Sequence, residues 1–177
     1  MAKISSLKEK INGGNNPLFQ ELYGADSSVL KEQADRYASL MSDFEKTYGT
    51  VDVQLFTSPG RTEIGGNHTD HNYGRVLAGA VNLDNIAAAA KNGTNTIRIK
   101  SAGYPEFQVE LVDFQPKEAE FYTSTSLVKG IAAKMKANGY EVGGFDACID
   151  GRVPKGSGLS SSASFEVLIG AIINELF

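Results

Sequence analysis

The feature that most constrains this chain is a glycine- and serine-rich segment, Lys155-Gly156-Ser157-Gly158-Leu159-Ser160-Ser161-Ser162-Ala163, which leads directly into the apolar stretch 165–176. This pattern predicts a loop followed by a helix. The first turn of a helix has unpaired backbone N–H groups and the positive end of the helix dipole, and both favour anions. Glycines let the backbone approach a ligand closely, and serine hydroxyls can donate to phosphate oxygens or ligate Mg²⁺. The segment therefore predicts a phosphate-binding loop and a chain that binds a nucleotide.

Three other interpretations of this segment are less consistent with the sequence. A glycine turn followed by a serine N-cap is common, but the density of the whole run disfavours it. A Walker A loop is excluded because no G-x-x-x-x-G-K-[ST] occurs in the chain. A dinucleotide fingerprint fails because Gly156-x-Gly158 lacks the third glycine and has no room behind it for a βαβ unit.

Length and charge limit the class of protein. With 177 residues, of which 41% are hydrophobic, the chain can bury one core of ordinary size. The net charge of −4, without a basic block, argues against a nucleic acid partner. No apolar run is long enough to span a bilayer, and residues 1–10 lack a signal-peptide core. We therefore expect a cytoplasmic protein without a membrane partner, in which the single cysteine, Cys148, is a buried structural thiol.

Periodicity predicts an α+β fold. An apolar stripe from Leu30 to Tyr48 recurs at steps of three and four, which indicates a helix that ends at Gly49 and docks on the body. A second helix contains Leu127 to Met135 and ends at Asn138-Gly139. Strands are predicted at 51–56, 75–83, 85–90, 96–100, 106–112 and 145–149, with a turn at 102–105. This order predicts a sheet mostly covered on one side.

A second polar loop, residues 58–74, is richer in glycine and charge than a connector requires, and such loops often carry function. Arg61 offers a planar fork for phosphate or carboxylate, and Asp70 can accept from two adjacent hydroxyls of a sugar. His68 and Asn67 add donors and acceptors. A metal site at His68, Asp70 and His71 is an alternative, but no second cluster of His or Cys completes a shell. Turns stabilised by Asp and Asn side chains are the other alternative.

Together the two loops resemble the galactokinase branch of the GHMP small-molecule kinases. Residues 59–72 are similar to its signature P-G-R-x-N-x-I-G-E-H-T-D-Y-N, and residues 151–164 are similar to its ATP-binding motif. The resemblance begins near Val51. It implies a GHMP-kinase-type N-terminal domain, of the ribosomal protein S5 domain 2-like class, with a mixed sheet packed on helices. Residues 1–50 are then a helical extension, and residues 51–177 are a sugar- and ATP-binding domain that ends before a C-terminal domain.

The resemblance also implies roles for individual residues. Arg61 matches the arginine beside the transferred phosphoryl group, and Asn67, His68 and Asp70 match sugar-binding positions. The nucleotide phosphates match the segment Gly156, Ser157, Gly158, Leu159, Ser160, Ser161 and Ser162, with Ser162 as the expected Mg²⁺ ligand. The family's catalytic aspartate lies in a later segment that this sequence does not contain. We therefore expect the remainder of the same polypeptide as a partner, and we expect this chain alone to be inactive.

The first loop departs from the family pattern at four positions. Asn67 replaces a glutamate that contacts the sugar, Glu63 replaces an asparagine, Gly65 replaces an aliphatic residue and His71 replaces a tyrosine. The leading expectation is phosphorylation of galactose by ATP at its anomeric hydroxyl, giving galactose 1-phosphate. One alternative is a kinase of the same fold for an N-acetylhexosamine, an arabinose or a uronic acid. A galactokinase-like sensor that regulates transcription is another, but the complete stretch Ser160 to Ala163 favours the enzyme. A ribosome-type structural domain would require a basic surface, which the net charge disfavours.

Overall fold

The computed structural model of the chain describes residues 1–14 and 16–177, without the side chains of residues 13 and 70. The helices and strands form an α+β fold, as predicted. The helices are α1 (Ile4–Ile11), α2 (Pro17–Tyr23), α3 (Ser27–Tyr48), α4 (Ser124–Ala137) and α5 (Ser161–Leu176). The strands are β1 (Ala2–Lys3), β2 (Asp52–Gly65), β3 (Leu77–Lys91), β4 (Thr96–Ser101), β5 (Phe107–Glu110) and β6 (Phe145–Gly151). Short 3₁₀ turns lie at Asn12–Gly14, Asp70–Asn72 and Glu118–Glu120.

The six strands form one mixed sheet in the order β1-β2-β3-β6-β4-β5. Strands β4 and β6 are parallel, and the other neighbours are antiparallel. The register pairs Asn85 with Gly151 and Lys91 with Phe145, while β2 pairs with β3 as far out as Gly65 and Leu77. The outer half of the β2–β3 hairpin therefore extends past the end of β6.

Helices pack on both faces of the sheet. On one face Ala87 and Ala89 belong to a core with α4 and α5, and on the other Ile86 and Ala88 belong to a core with α1 to α3. Because side chains of a strand alternate between faces, a run of small buried residues on β3 lets helices approach from both sides. The expectation of a sheet mostly covered on one side is wrong, because α3 buries its apolar stripe against the second face.

Helix α3 confirms the predicted stripe and its end. The Asp26 carboxylate accepts from the backbone N–H groups of Ser28 and Val29 at its N-terminus. Gly49 follows its last turn with a left-handed φ of 69°, the conformation that favours glycine after a helix. The buried free thiol at Cys148 and the turn between β4 and β5 are also as predicted. In the described residues, none of the helices has the length and apolar character needed to cross a membrane.

Two predicted boundaries around the second loop are wrong. Strand β2 continues through residue 65, so the loop joining β2 to β3 begins only at Gly66. Strand β3 is unbroken, although Asp84 had divided the prediction into two strands. Asp84 is buried, and its carboxylate accepts from Arg36 at 2.5 Å and from Tyr23 and Thr57 at 2.6 Å. A buried charge with this many partners does not interrupt a strand.

Candidate functional site

The loop between β6 and α5 has the backbone conformation of a ligand cradle. Gly156 and Gly158 have φ values of 73° and 77°, in the left-handed region that glycine adopts without strain. Ser160 also lies there, with φ 58° and ψ 50°, which is uncommon for a residue with a side chain. Such strain often occurs where a loop is shaped for a ligand.

The N-terminus of α5 lacks a side-chain cap. Ser160 occupies the N-cap position, and its side chain makes no capping hydrogen bond. The first N–H groups of a helix have no intrahelical partner, so here they are open to an anion. The alternative that a serine side chain caps this helix is therefore wrong. Ser157 instead closes the loop on itself, because its hydroxyl donates to the carbonyl of Pro154 at 2.8 Å and accepts from the N–H of Leu159 at 3.3 Å.

A cleft of about 720 Å³ adjoins this helix N-terminus. Its lining residues include Ser161, Ser162, Tyr104 and Tyr122. The Lys155 ammonium lies 4.4 Å from the centre of the Tyr104 ring. Aromatic side chains next to an open helix N-terminus are suited to a ligand that carries both a base and phosphates. The two tyrosines were not identified from the sequence, because neither belongs to a motif.

Strand β2 carries Arg61 to the phosphate loop. The N–H of Arg61 donates to the carbonyl of Leu159 at 3.1 Å. A Cβ on Gly60 would lie 2.9 Å from both the Leu159 carbonyl and a Val153 methyl, so only glycine allows this approach. The register shifts between Pro59 and Arg61, which marks a β-bulge at Gly60. The structure thus brings together Arg61 and the phosphate loop, which are about a hundred residues apart in the sequence.

Asn67 and His68 lie farther out, in the tight turn at the tip of the hairpin. Both are exposed and have left-handed φ values of 54° and 53°. Asparagine adopts this conformation more readily than glutamate, which gives a backbone reason for Asn67. The N–H of His68 donates to the carboxylate of Glu63, so an acidic group lies within the turn although position 67 has none. The side chain of Asp70 lies outside the described residues, and its role stays a prediction.

The donor set around the cleft limits how a divalent cation could be held. Ser162 is exposed in the first turn of α5, and its hydroxyl is a hard oxygen ligand. None of the described residues that line the cleft is a carboxylate. Within the described part of the chain no three His, Cys, Asp or Glu residues are grouped as a metal site. A Mg²⁺ ion here would therefore depend on nucleotide phosphates for most of its ligands.

Family models and relatives match both parts of this site. The galactokinase galactose-binding signature matches residues 42–91, and the GHMP kinases N terminal domain matches residues 126–177. A galactokinase of Lactococcus lactis subsp. cremoris is 34% identical over 156 residues, which cover 86% of this chain and 37% of that protein. A galactokinase of Clostridium tetani is 36% identical over 139 residues, which cover 78% of this chain and 35% of that protein. The chain thus spans a little over a third of the length of these curated relatives.

Solved structures agree with these matches. The crystal structure of Lactococcus lactis galactokinase complexed with galactose superimposes with a TM-score of 0.73 at 33% identity, covering 80% of this chain and 37% of that one. The Methanococcus jannaschii mevalonate kinase superimposes with a TM-score of 0.57 at 15% identity, which shows a shared fold. The fold is that of the N-terminal part of GHMP kinases. The chain belongs to the galactokinase branch of this family, which confirms the resemblance found in the two loops.

Proposed function

We propose that this chain is the N-terminal portion of an ATP-dependent galactokinase. In the reaction the C1 hydroxyl oxygen of galactose attacks the γ-phosphorus, the bond from that phosphorus to the β,γ-bridging oxygen breaks, and ADP leaves. The hydroxyl proton passes to a base. The observation that carries the proposal is the contact of Arg61 with the loop at an uncapped helix N-terminus. This contact supports the proposal because a residue with a guanidinium group then lies close to backbone N–H groups that can bind phosphates.

The residues of the chain have distinct roles in this proposal. Transfer of a phosphoryl group is catalysed mainly by positioning and by stabilisation of negative charge on its oxygens. Gly156 to Ser162 bind the phosphates, and Arg61 stabilises charge on the transferred group. Among the described residues the Arg61 guanidinium has no ion pair or hydrogen bond, so it is available for that task. Mg²⁺, which would be held by the phosphates and Ser162, would supply further positive charge.

The sugar lies at the hairpin tip in this proposal, against Asn67, His68 and Asp70. The base is expected in the polypeptide that would follow residue 177, since the chain covers 37% of the Lactococcus relative. We propose residues 1–50 as a helical extension and residues 51–177 as the sugar- and ATP-binding domain. A buried, unpaired cysteine fits the reducing cytoplasm.

The test is a substrate panel. The full-length polypeptide, expressed from the gene extended past residue 177, is incubated with ATP and Mg²⁺ against free sugars, and products are identified by phosphorus NMR. We expect a sugar 1-phosphate from galactose and no turnover by the 177-residue chain. ATP binding without turnover of any sugar would refute the enzyme and favour a sensor.

A second candidate is a kinase for another sugar, and Asn67 is the observation that favours it. A hydrogen bond to a charged group contributes about 1.5–3 kcal/mol, so replacing a carboxylate by an amide could change preference among sugars by roughly ten- to a hundredfold. Turnover of an N-acetylhexosamine, an arabinose or a uronic acid in preference to galactose would establish this candidate. Asn67→Glu is then expected to restore preference for galactose.

A further inference from the structure

A buried hydroxyl joins helix α5 to strand β2. Ser164 lies in the first turn of α5 and is 3% exposed. Its Oγ donates to the carbonyl of Ser58 at 2.8 Å and accepts from Nδ2 of Asn85 at 2.9 Å. Ser164 is therefore buried, unlike the exposed Ser162, and it is not among the residues that line the cleft. We name the set Ser58, Asn85 and Ser164 the serine bridge.

The serine bridge holds the strand segment that carries Arg61. Ser58 precedes Arg61 by three residues, and the Arg61 N–H is bonded to Leu159 in the phosphate loop. Residues 58–61 are therefore joined at one end to the first turn of α5 and at the other end to the phosphate loop. Between these ends Gly60 packs against the loop without space for a side chain.

Asn85 is the residue of β3 at which the pairing with β6 ends, while the pairing with β2 continues. Its partners in register are Ser58 on β2 and Gly151 on β6, the last residue of that strand. The neighbouring Asp84 faces the opposite side and is held by Arg36 of α3. Asp84 thus bonds to α3 on one face of the sheet, and Asn85 bonds to α5 on the other face. These two bonds hold the β2–β3 hairpin at the point where it begins to extend past β6.

We propose that Ser164 and Asn85 are positioning residues for phosphoryl transfer, which set the separation between Arg61 and the helix N-terminus that receives the phosphates. The proposal rests on the proposed function. Rates of positioned reactions are sensitive to geometry, and a displacement of about 1 Å can lower a rate on the order of a hundredfold. Loss of the serine bridge should therefore reduce kcat while both substrates still bind.

The kinetic test uses the full-length polypeptide with Ser164→Ala, which removes both hydrogen bonds. We expect kcat to fall at least about tenfold, with KM for ATP and for the sugar within about twofold of the wild type. Asn85→Ala removes one donor and is expected to give the same pattern with a smaller loss of kcat, and the double variant should be no worse than Ser164→Ala. Val53→Ala, a buried change at the far end of β2, is the control for lost stability and should keep its kcat. If Ser164→Ala and Val53→Ala have the same kcat, the proposal is wrong.

A second measurement separates this proposal from the proposed function. Hydrogen exchange of the segment 58–62 is followed in the same full-length proteins without substrate. The proposal requires faster exchange in Ser164→Ala than in Val53→Ala, because the Arg61 N–H loses its fixed position against Leu159. Absence of turnover by the wild-type protein would refute the proposed function, whereas unchanged exchange in Ser164→Ala would refute the serine bridge.

Discussion

Replacing Gly60 by alanine tests whether the close contact between β2 and the phosphate loop supports the site. The new Cβ would lie 2.9 Å from the Leu159 carbonyl and 2.9 Å from a Val153 methyl. Ordinary contacts between such atoms are about 3.5 Å or longer, so the strand or the loop must move by roughly 0.5 Å. The hydrogen bond from the Arg61 N–H to Leu159 is 3.1 Å long, and that shift would take it to the limit of bonding. Overpacking of this kind costs about 1–3 kcal/mol.

Gly65→Ala is the matched control on the same strand. A Cβ at Gly65 meets nothing within 4 Å, and neither glycine has a left-handed φ. The effect of alanine on the unfolded chain is common to both variants, so it cancels when they are compared. We expect Gly60→Ala to have a free energy of unfolding about 1–3 kcal/mol below that of Gly65→Ala, measured by urea denaturation. ATP affinity, measured by calorimetry on the full-length protein, should fall in Gly60→Ala alone. Equal stability and equal ATP affinity of the two variants would refute the argument that this contact shapes the site.

Three further predictions follow from charge, burial and ionisation. Arg61→Ala in the full-length protein should lower kcat on the order of a hundredfold or more, with a much smaller rise in KM for the sugar. In the proposed function the guanidinium stabilises charge that develops in the transition state, so its loss affects kcat most. Steady-state kinetics that show an intact kcat would remove Arg61 from the mechanism. Burial raises the pKa of the Cys148 thiol to about 11. At pH 8 the folded chain should therefore react with a thiol reagent more than about a hundredfold more slowly than the urea-unfolded chain. Equal reaction rates of the folded and unfolded chains would contradict the burial. Burial also raises the pKa of Tyr48 well above its usual range. The contribution of Tyr48 to the free energy of unfolding is therefore constant below about pH 10. It decreases above that pH, because the tyrosine of the unfolded chain ionises first. Urea denaturation between pH 9 and 11 should show this decrease, with a shallower slope in Tyr48→Phe, and identical slopes would show that Tyr48 does not contribute.

The buried polar groups beside the site have a structural consequence of their own. Arg36 reaches from α3 to Asp84 and also donates to Asp150 at 3.0 Å and to the Asp150 carbonyl at 2.8 Å. Asp150 lies on β6 immediately before the phosphate loop. Glu32, one turn earlier on α3, pairs with Arg152 in the loop itself. Helix α3 therefore contacts both the end of β6 and the start of the loop that follows it.

Local sequence signals were sufficient for the longer helices and for the loop before α5. The apolar period of 30–48, the glycine at its end and the serine-rich run before 165 each depend on residues that are neighbours in the chain. Helix α3, helix α5 and the phosphate loop were predicted for that reason. The residues of the two loops also identified the family, because each motif consists of contiguous residues.

Only the tertiary structure decided how these pieces meet. Asp84 marked a strand break by composition, and it became a buried anchor because Arg36, 48 residues away, supplies its counter-charge. Ser164 and Ser58 are 106 residues apart, and nothing in the sequence around either residue indicates that they form a hydrogen bond. Periodicity reports which face of an element is apolar, but it does not report which element covers that face. The sequence by itself therefore determined helices α3, α4 and α5, the loop before α5 and the family, whereas only the tertiary structure showed that β2 packs against that loop and α5.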